Sequence, residues 1–227
     1  TKDNAVVNNN ASLSFGNDSI GMAVTTGDKG ELLSTGVLNI NGGAASGSTG
    51  IYNTGTFTDN GKITLSGKSL GIYTEGTMTI NAISGDSISG SSDEITGIYS
   101  AGSGTTINHG KITLTGKKVK GIVADGTTTV TNDANISLTG QESVGLAALG
   151  GQIDNTNSTI LVDGKAGLGL YTTGSGVINA KTGSVITAKS ASIGAYANGG
   201  NINLEGATFN TGASSLTFMA NGSGVID

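Results

Sequence analysis

The chain has 227 residues, 40 of them Gly and none of them Pro, Cys, Trp or Arg, with a formal net charge of −5. The acidic balance argues against a nucleic-acid partner, which needs clustered basic side chains, and the alternating Ile, Val and Leu with only 12% charged residues argue against disorder. High Gly without Pro is not collagen-like, no run approaches the roughly 18 apolar residues of a membrane helix, and zero Cys suits an export route without disulfides as well as a cytosolic one.

Along the chain one short phrase recurs. Residues 5–21 (AVVNNNASLSFGNDSIG) match residues 129–145 (TVTNDANISLTGQESVG), and a first copy of the phrase, GMAVTTG, begins at Gly21. Later copies are marked by Gly50, Gly71, Gly97, Gly121, Gly145, Gly169 and Gly194, with Thr217 in the same place in TFMANG. Successive spacings from Gly50 are 21, 26, 24, 24, 24, 25 and 23 residues. Self-similarity at a fixed period of this size signals a solenoid.

Each period holds three short segments, as in GIVADG, TTTVTN and NISLTG between residues 121 and 140. They are rich in Ile, Val, Thr and Tyr and separated by Gly, Asn, Asp or Ser, which predicts strands and turns. The expected fold is therefore all-β: a three-stranded parallel β-helix of about 24 residues per coil and about nine coils, a rod about 40 Å long. It reads as one segment, residues 1–227, that starts and stops in mid-coil without polar caps, open at both ends and cut from a longer rod.

Period-two alternation assigns the faces. In the first strand the second position carries Ile51, Ile72, Ile98, Ile122, Leu146, Leu170, Ala195 and Phe218, and the fourth carries Asn53, Thr74, Ser100, Ala124, Ala148, Thr172, Ala197 and Ala220. Both are expected inside. The third and fifth positions, the latter with Glu75, Asp125 and Asn198, are expected outside. The third strand adds Ile63 with Leu65, Ile112 with Leu114, Ile136 with Leu138 and Ile160 with Val162 to the core. The sixth position is Gly in all eight copies, which predicts a corner of positive φ.

Coils of the form GIYxxGxxxIxNxGxIxLxG, as in residues 97–116 (GIYSAGSGTTINHGKITLTG), resemble the passenger repeats of Gram-negative autotransporter proteins, above all the large outer-membrane adhesins of oral anaerobes. The resemblance covers nearly the whole chain. It implies a right-handed coil, export to the cell surface through a C-terminal outer-membrane β-barrel outside this chain, and adhesion to a protein or glycan receptor on host cells or other bacteria. No binding motif of the family carries over residue by residue.

Catalytic signatures are thin. β-Helices include polysaccharide lyases and hydrolases, which need paired carboxylates and usually a basic residue. Here Asp93 and Glu94 are the one adjacent acidic pair, in a Ser-rich turn that reads as a solvated corner. GDSIS (85–89) resembles the nucleophile stretch of serine hydrolases, but His109, the sole His, lies about one coil away, and Gly-Asp-Ser also suits a turn. Asp86, Asp93 and Glu94 are candidates for a hard cation, with solvated turn carboxylates as the default. No cofactor or metal is expected.

Two surface features are candidate binding elements. All five Tyr (Tyr52, Tyr73, Tyr99, Tyr171 and Tyr196) take the outward third position, interrupted by Val123 and Ala147. The column reads either as a stabilising ladder or as an amphipathic contact face. Lys68, Lys117, Lys165 and Lys189, with Gln141, form an expected column after the third strand. Lys111, Lys117, Lys118 and Lys120 are the densest positive patch, read as solubilising or as attracting sialylated or sulfated glycans. Extra length in NGGAASGST (41–49) and around SISGSSDE (87–94) predicts two protruding loops. The expected function is that of a non-enzymatic adhesin passenger segment; the alternatives are a passive stalk and, third, a carbohydrate-active enzyme.

Overall fold

The computed structural model describes residues 5–44 and 47–227. Among them there is no helix, and the strands stack into three parallel sheets of nine, ten and nine members. The first sheet holds the phrase strands, beginning with Ile20–Val24, Ser48–Asn53 and Ser69–Thr74. The second takes Val6–Asn9, Lys29–Leu32, Thr56–Asp59 and their successors, and the third takes Ser12–Phe15, Val37–Asn41, Lys62–Ser66 and theirs. Up to the last strand of each sheet, every strand pairs with the strand three further along the chain, so each triplet is one turn of a β-solenoid. The repeat unit inferred from the sequence is the structural coil.

Stacking is like on like. Ile72, Ile98, Ile122, Leu146, Leu170, Ala195 and Phe218 are successive partners in the first sheet. Ile63, Ile88, Ile112, Ile136, Ile160 and Ile186 are successive partners in the third. The positions expected inside are buried from Ile51 to Ala197, and each large aliphatic among them contributes about 1.5–3 kcal/mol. Phe218 and Ala220 keep the inward parity but are exposed, Phe218 by 48%, because Leu216–Asn221 is the edge strand of its sheet. Phe218 rests edge-on against Phe209, with ring centroids 4.8 Å apart.

The marker glycines have a steric origin. A Cβ on Gly71 would lie 2.5 Å from the carbonyl oxygen of Gly97, and one on Gly121 would lie 2.5 Å from that of Gly145 and 2.8 Å from Cγ2 of Ile136. The same approach, 2.5–2.7 Å to the next coil's carbonyl, recurs from Gly21 to Gly194. Thr217 escapes it because no strand follows in its sheet.

The sixth-position glycines divide in two. Gly102, Gly126, Gly174, Gly199 and Gly222 have the expected positive φ; Gly55, Gly76 and Gly150 do not. A Cβ on Gly55 or Gly76 would sit 2.3 or 2.1 Å from a carbonyl of the preceding coil, so close approach selects Gly there instead. Left-handed backbone also appears where no Gly marks it. Glu94, Lys118, Glu142 and Ala166, at the corner between third and first sheets, have φ of 61°, 56°, 57° and 58°. Their N–H groups donate in turn to the carbonyls of Lys117, Gln141, Lys165 and Ala191 one coil on, which offsets the strain.

The coil of 29 residues and the coil of 26 place their extra length differently from the sequence expectation. In the first, part of the excess lies at the corner between second and third sheets, in residues 33–36, and part at the next corner, where Ala45 and Ser46 fall outside the described residues. In the second, it lies in residues 81–87, ahead of the strand Ile88–Gly90 and not after it. Strand register fixes these positions: Ile88 pairs with Ile63 and Ile112.

The interior is partly polar along one column of the second sheet. Asn108 donates to Asn132 and Asn132 to Asn155, both at 2.7 Å, and Asn155 donates to Ser184 at 3.0 Å. Asp59 occupies the same column between Leu32 and Ile80. Its Oδ1 accepts the Gly61 N–H at 2.9 Å, but Oδ2 has no hydrogen-bond partner among the described residues. Burial pushes its carboxyl up to about 7, against the Gly61 hydrogen bond that pulls it down.

Two outcomes follow. Gly121→Ala should lose about 1–3 kcal/mol in urea denaturation, from the backbone displacement the added methyl demands. Gly16→Ala, where a Cβ would meet nothing within 4 Å, should change little. For Asp59, the folded carboxyl titrates near 7 and the unfolded one near 3.8, so its contribution worsens as pH rises between those values and is level above. Asp59→Asn should therefore raise the thermal midpoint at pH 8, flatten the slope between pH 4 and 7, and give no gain at pH 4.

Candidate binding face

The outward third positions of the first sheet align as Ala23, Tyr52, Tyr73, Tyr99, Val123, Ala147, Tyr171, Tyr196 and Met219. Parallel in-register pairing sets neighbouring rings one coil apart, the right distance for stacking. Tyr52 and Tyr73 stack with centroids 5.3 Å apart and planes 4° from parallel; Tyr73 and Tyr99 follow at 5.9 Å and 10°. Tyr171 and Tyr196 meet at 5.6 Å, tilted by 50°. All five are half-buried.

Stacking decides what the rings can offer a ligand. In the Tyr52–Tyr73–Tyr99 group the inner ring faces contact one another, leaving edges outward. Tyr52 also keeps one face toward the exposed Ala23. The hydroxyls are held as well. Tyr73 donates to Glu75, and Tyr99 donates to Asp125 at 2.6 Å. Asp125 stands in the next coil, two residues beyond Val123, so the Tyr99 ring leans across Val123. This explains why Val123 is only 1% exposed at an outward position; Ala147 is 3% exposed beside it. The interruption in the column is a roofed apolar floor and not an open notch.

The face is flanked by a second outward column, in which Leu70, Val144, Leu168 and Ile193 are half-buried. The outward residues of the second sheet are mostly polar, as in Thr56 with Thr58, Thr77 with Thr79 and Thr129 with Thr131, with Ile107 and Val177 half-buried among them. Further along that sheet Asn203 donates to Asn179 and Asn179 to Asp154, whose carboxyl is held below its usual value by hydrogen bonds from Lys181, Asn179 and Gln152 despite partial burial. The outer surface of the third sheet is mostly polar, with Asn39, Thr64, Ser89, Thr113, Ser137 and Thr187, and Val37, Leu161 and Val185 are half-buried among them. The first sheet carries the largest share of outward apolar side chains, including all five Tyr.

The lysine candidates do not form one cluster. Lys111 precedes the strand Ile112–Leu114 and Lys117, Lys118 and Lys120 follow it, so a strand of about 10 Å and a corner divide them. Lys111 pairs with Asp86 at 2.9 Å, and Lys118 lies 3.8 Å from Glu142. Lys120 is exposed on the first sheet between Thr96 and Val144. In the expected lysine column, Lys189 stands opposite Asp163 on a strand, away from the turn that holds Lys165.

The other candidates are engaged locally. Glu94 accepts from Lys68 at 2.9 Å, which holds its carboxyl low, and Asp93 accepts the Lys117 N–H at 2.8 Å. Among the described residues no three His, Cys, Asp or Glu side chains group as metal ligands. Ser87 of GDSIS is fully buried and its hydroxyl donates to the Asn81 carbonyl at 3.4 Å. His109 turns Nδ1 to both oxygens of Asp133, at 2.7 and 2.8 Å, a contact between neighbouring coils that the recurring corner position made foreseeable.

Carboxylate acceptors push the phenols of Tyr73 and Tyr99 up to about 12, with burial adding to the effect. Ultraviolet titration should show Tyr73 and Tyr99 ionising late, and Asp125→Asn should return Tyr99 toward 10. Because the unfolded phenols ionise first, the fold should lose stability as pH rises from 10 toward 12. Comparison with protein-family models, curated proteins and solved structures gave no match to this chain.

Proposed function

We infer that this chain is a β-helical passenger segment of a Gram-negative autotransporter adhesin, displayed at the cell surface, with its parent chain anchored by an outer-membrane β-barrel that lies outside these residues. Its first sheet contacts a protein or glycan receptor on a host cell or on another bacterium. The regular solenoid is consistent with the repeat resemblance, and the acidic balance speaks against nucleic acid. The observation that carries the reading is the contrast between faces: the first sheet holds all five Tyr, with Leu70, Val144, Leu168 and Ile193, at outward positions, whereas the other two sheets show scattered aliphatics among polar residues. Aromatic and aliphatic side chains concentrated on one side of a rod are what a protein or glycan contact uses.

A passive stalk is the second reading, favoured by the mutual stacking of Tyr52, Tyr73 and Tyr99, which gives the ladder a structural role without any ligand. Flow cytometry with labelled protein on epithelial cells and on partner bacteria separates the two. The adhesin reading expects saturable binding that falls at least tenfold when all five Tyr are changed to Thr, with circular dichroism unchanged. No binding by either protein would leave the stalk.

A further inference from the structure

We propose that the corner between the second and third sheets carries a separate site, a cleft that takes one uncharged hexose or N-acetylhexosamine residue. It is independent of the tyrosine face, on the other side of the first strand of each coil.

The cleft arises from the two long corner connections. Residues 33–36 and residues 81–87 each protrude, while the coil between them turns from Asp59 to Lys62 through Asn60 and Gly61 alone. Two walls therefore stand about two coil spacings apart, roughly 10 Å, over a short floor. The space between them is about 410 Å³. That is within the range of small-molecule sites and ample for one pyranose ring.

Its lining is mixed in the way a sugar needs. Leu33 on one wall and Ile83 on the other supply aliphatic surface for the C–H faces of a ring. Ser34 and Ser84 bring hydroxyls to the rim, and Glu31 and Asn60 form the floor. The floor is held before any ligand arrives: Asn81 donates to Asn60 at 2.6 Å, and Asn60 donates to Glu31 Oε1 at 2.7 Å. This chain fixes both amides and orients the carboxylate, leaving Oε2 to accept ring hydroxyls and the second Asn60 amide hydrogen to donate to one. Prior ordering of polar groups lowers the entropic cost of binding.

Charge selects within the class. No basic residue lines the cleft, Glu31 sits in its floor, and the protein carries −5 overall. Sialic acid, uronic acids and sulfated sugars are disfavoured here, the opposite of what a lysine patch would select. A single carboxylate already shared with Asn60 is also a poor seat for a guanidinium, which binds best to an unshared, bidentate acceptor. With no aromatic platform in the cleft, affinity for one residue should be weak, about millimolar.

The test is titration of the ¹⁵N-labelled protein with the methyl glycosides of glucose, galactose and N-acetylglucosamine. Glucuronic acid, N-acetylneuraminic acid and N-acetyl-lysine amide are run in parallel. The expected result is saturable shifts at Leu33, Asn60 and Ile83 with at least one neutral glycoside, and none with the acidic sugars at equal concentration. Glu31→Gln should weaken that binding at least about fivefold, through loss of a charge-assisted hydrogen bond, with the thermal midpoint unchanged. The five-Tyr variant should bind as the native chain does, so the two sites fail or succeed separately. No saturable shift with any glycoside, shifts mapping elsewhere, or saturation by the lysine amide alone would overturn the proposal.

Discussion

Everything in this rod depends on how closely one coil's backbone lies on the next along the marker glycines. Each of those residues places its Cα under a carbonyl of the following coil, at a distance no side chain tolerates. The approach holds the first sheet in register, and register in turn stacks isoleucine on isoleucine, tyrosine on tyrosine and asparagine on asparagine. The core, the aromatic ladder and the corner cleft are all products of that one repeated contact. Sheet hydrogen bonding alone would permit a slip, whereas a glycine in every coil penalises one.

Much of the architecture was legible because a solenoid writes its geometry in one dimension. The period gave the coil, the alternation in GIYTEG-like segments gave the inward and outward residues, and the column of five Tyr followed from both. Where the reading failed, it failed for physical reasons. Glycine at the sixth position meant two things, a left-handed corner at Gly126 and a steric gap at Gly76, and composition does not tell them apart. Coil length reveals that residues are extra but not which corner holds them, so the loop expected around residues 87–94 lies instead in residues 81–87, on the other side of the strand. Left-handed Lys118 and Ala166 carry no local signal, since the inter-coil hydrogen bonds that support them are long-range.

The candidate sites were legible to a lesser degree. The Tyr positions followed from parity, but only the three-dimensional arrangement shows that ring faces are mutually satisfied and that Tyr99 roofs Val123. Of the lysines close in sequence, Lys111 is set apart from Lys117, Lys118 and Lys120, because an extended strand and a corner lie between them. Asp59 was open to discovery from the alternation of Phe57 and Asp59 in the segment TFTD, yet a lone acidic residue next to a turn reads as solvated. Its burial becomes evident only when the asparagines of later coils are seen to share its column.

That column has a direction. From Asn108 through Asn132 to Asn155 every amide gives its proton to the next coil and none gives it back. A coil laid down at the growing edge therefore arrives with an oxygen that its predecessor is waiting to use, and it presents a fresh donor in turn. Ile80 carries no such group, and with Ala180 in the column, Asn155 passes its proton to the Ser184 hydroxyl instead, so the chain of donors begins and ends inside the rod. The solenoid is uniform in outline, but it is subdivided by its polar spine. Assembly has a preferred sense there, and the four coils linked from Asn108 to Ser184 should open and close together as one cooperative block.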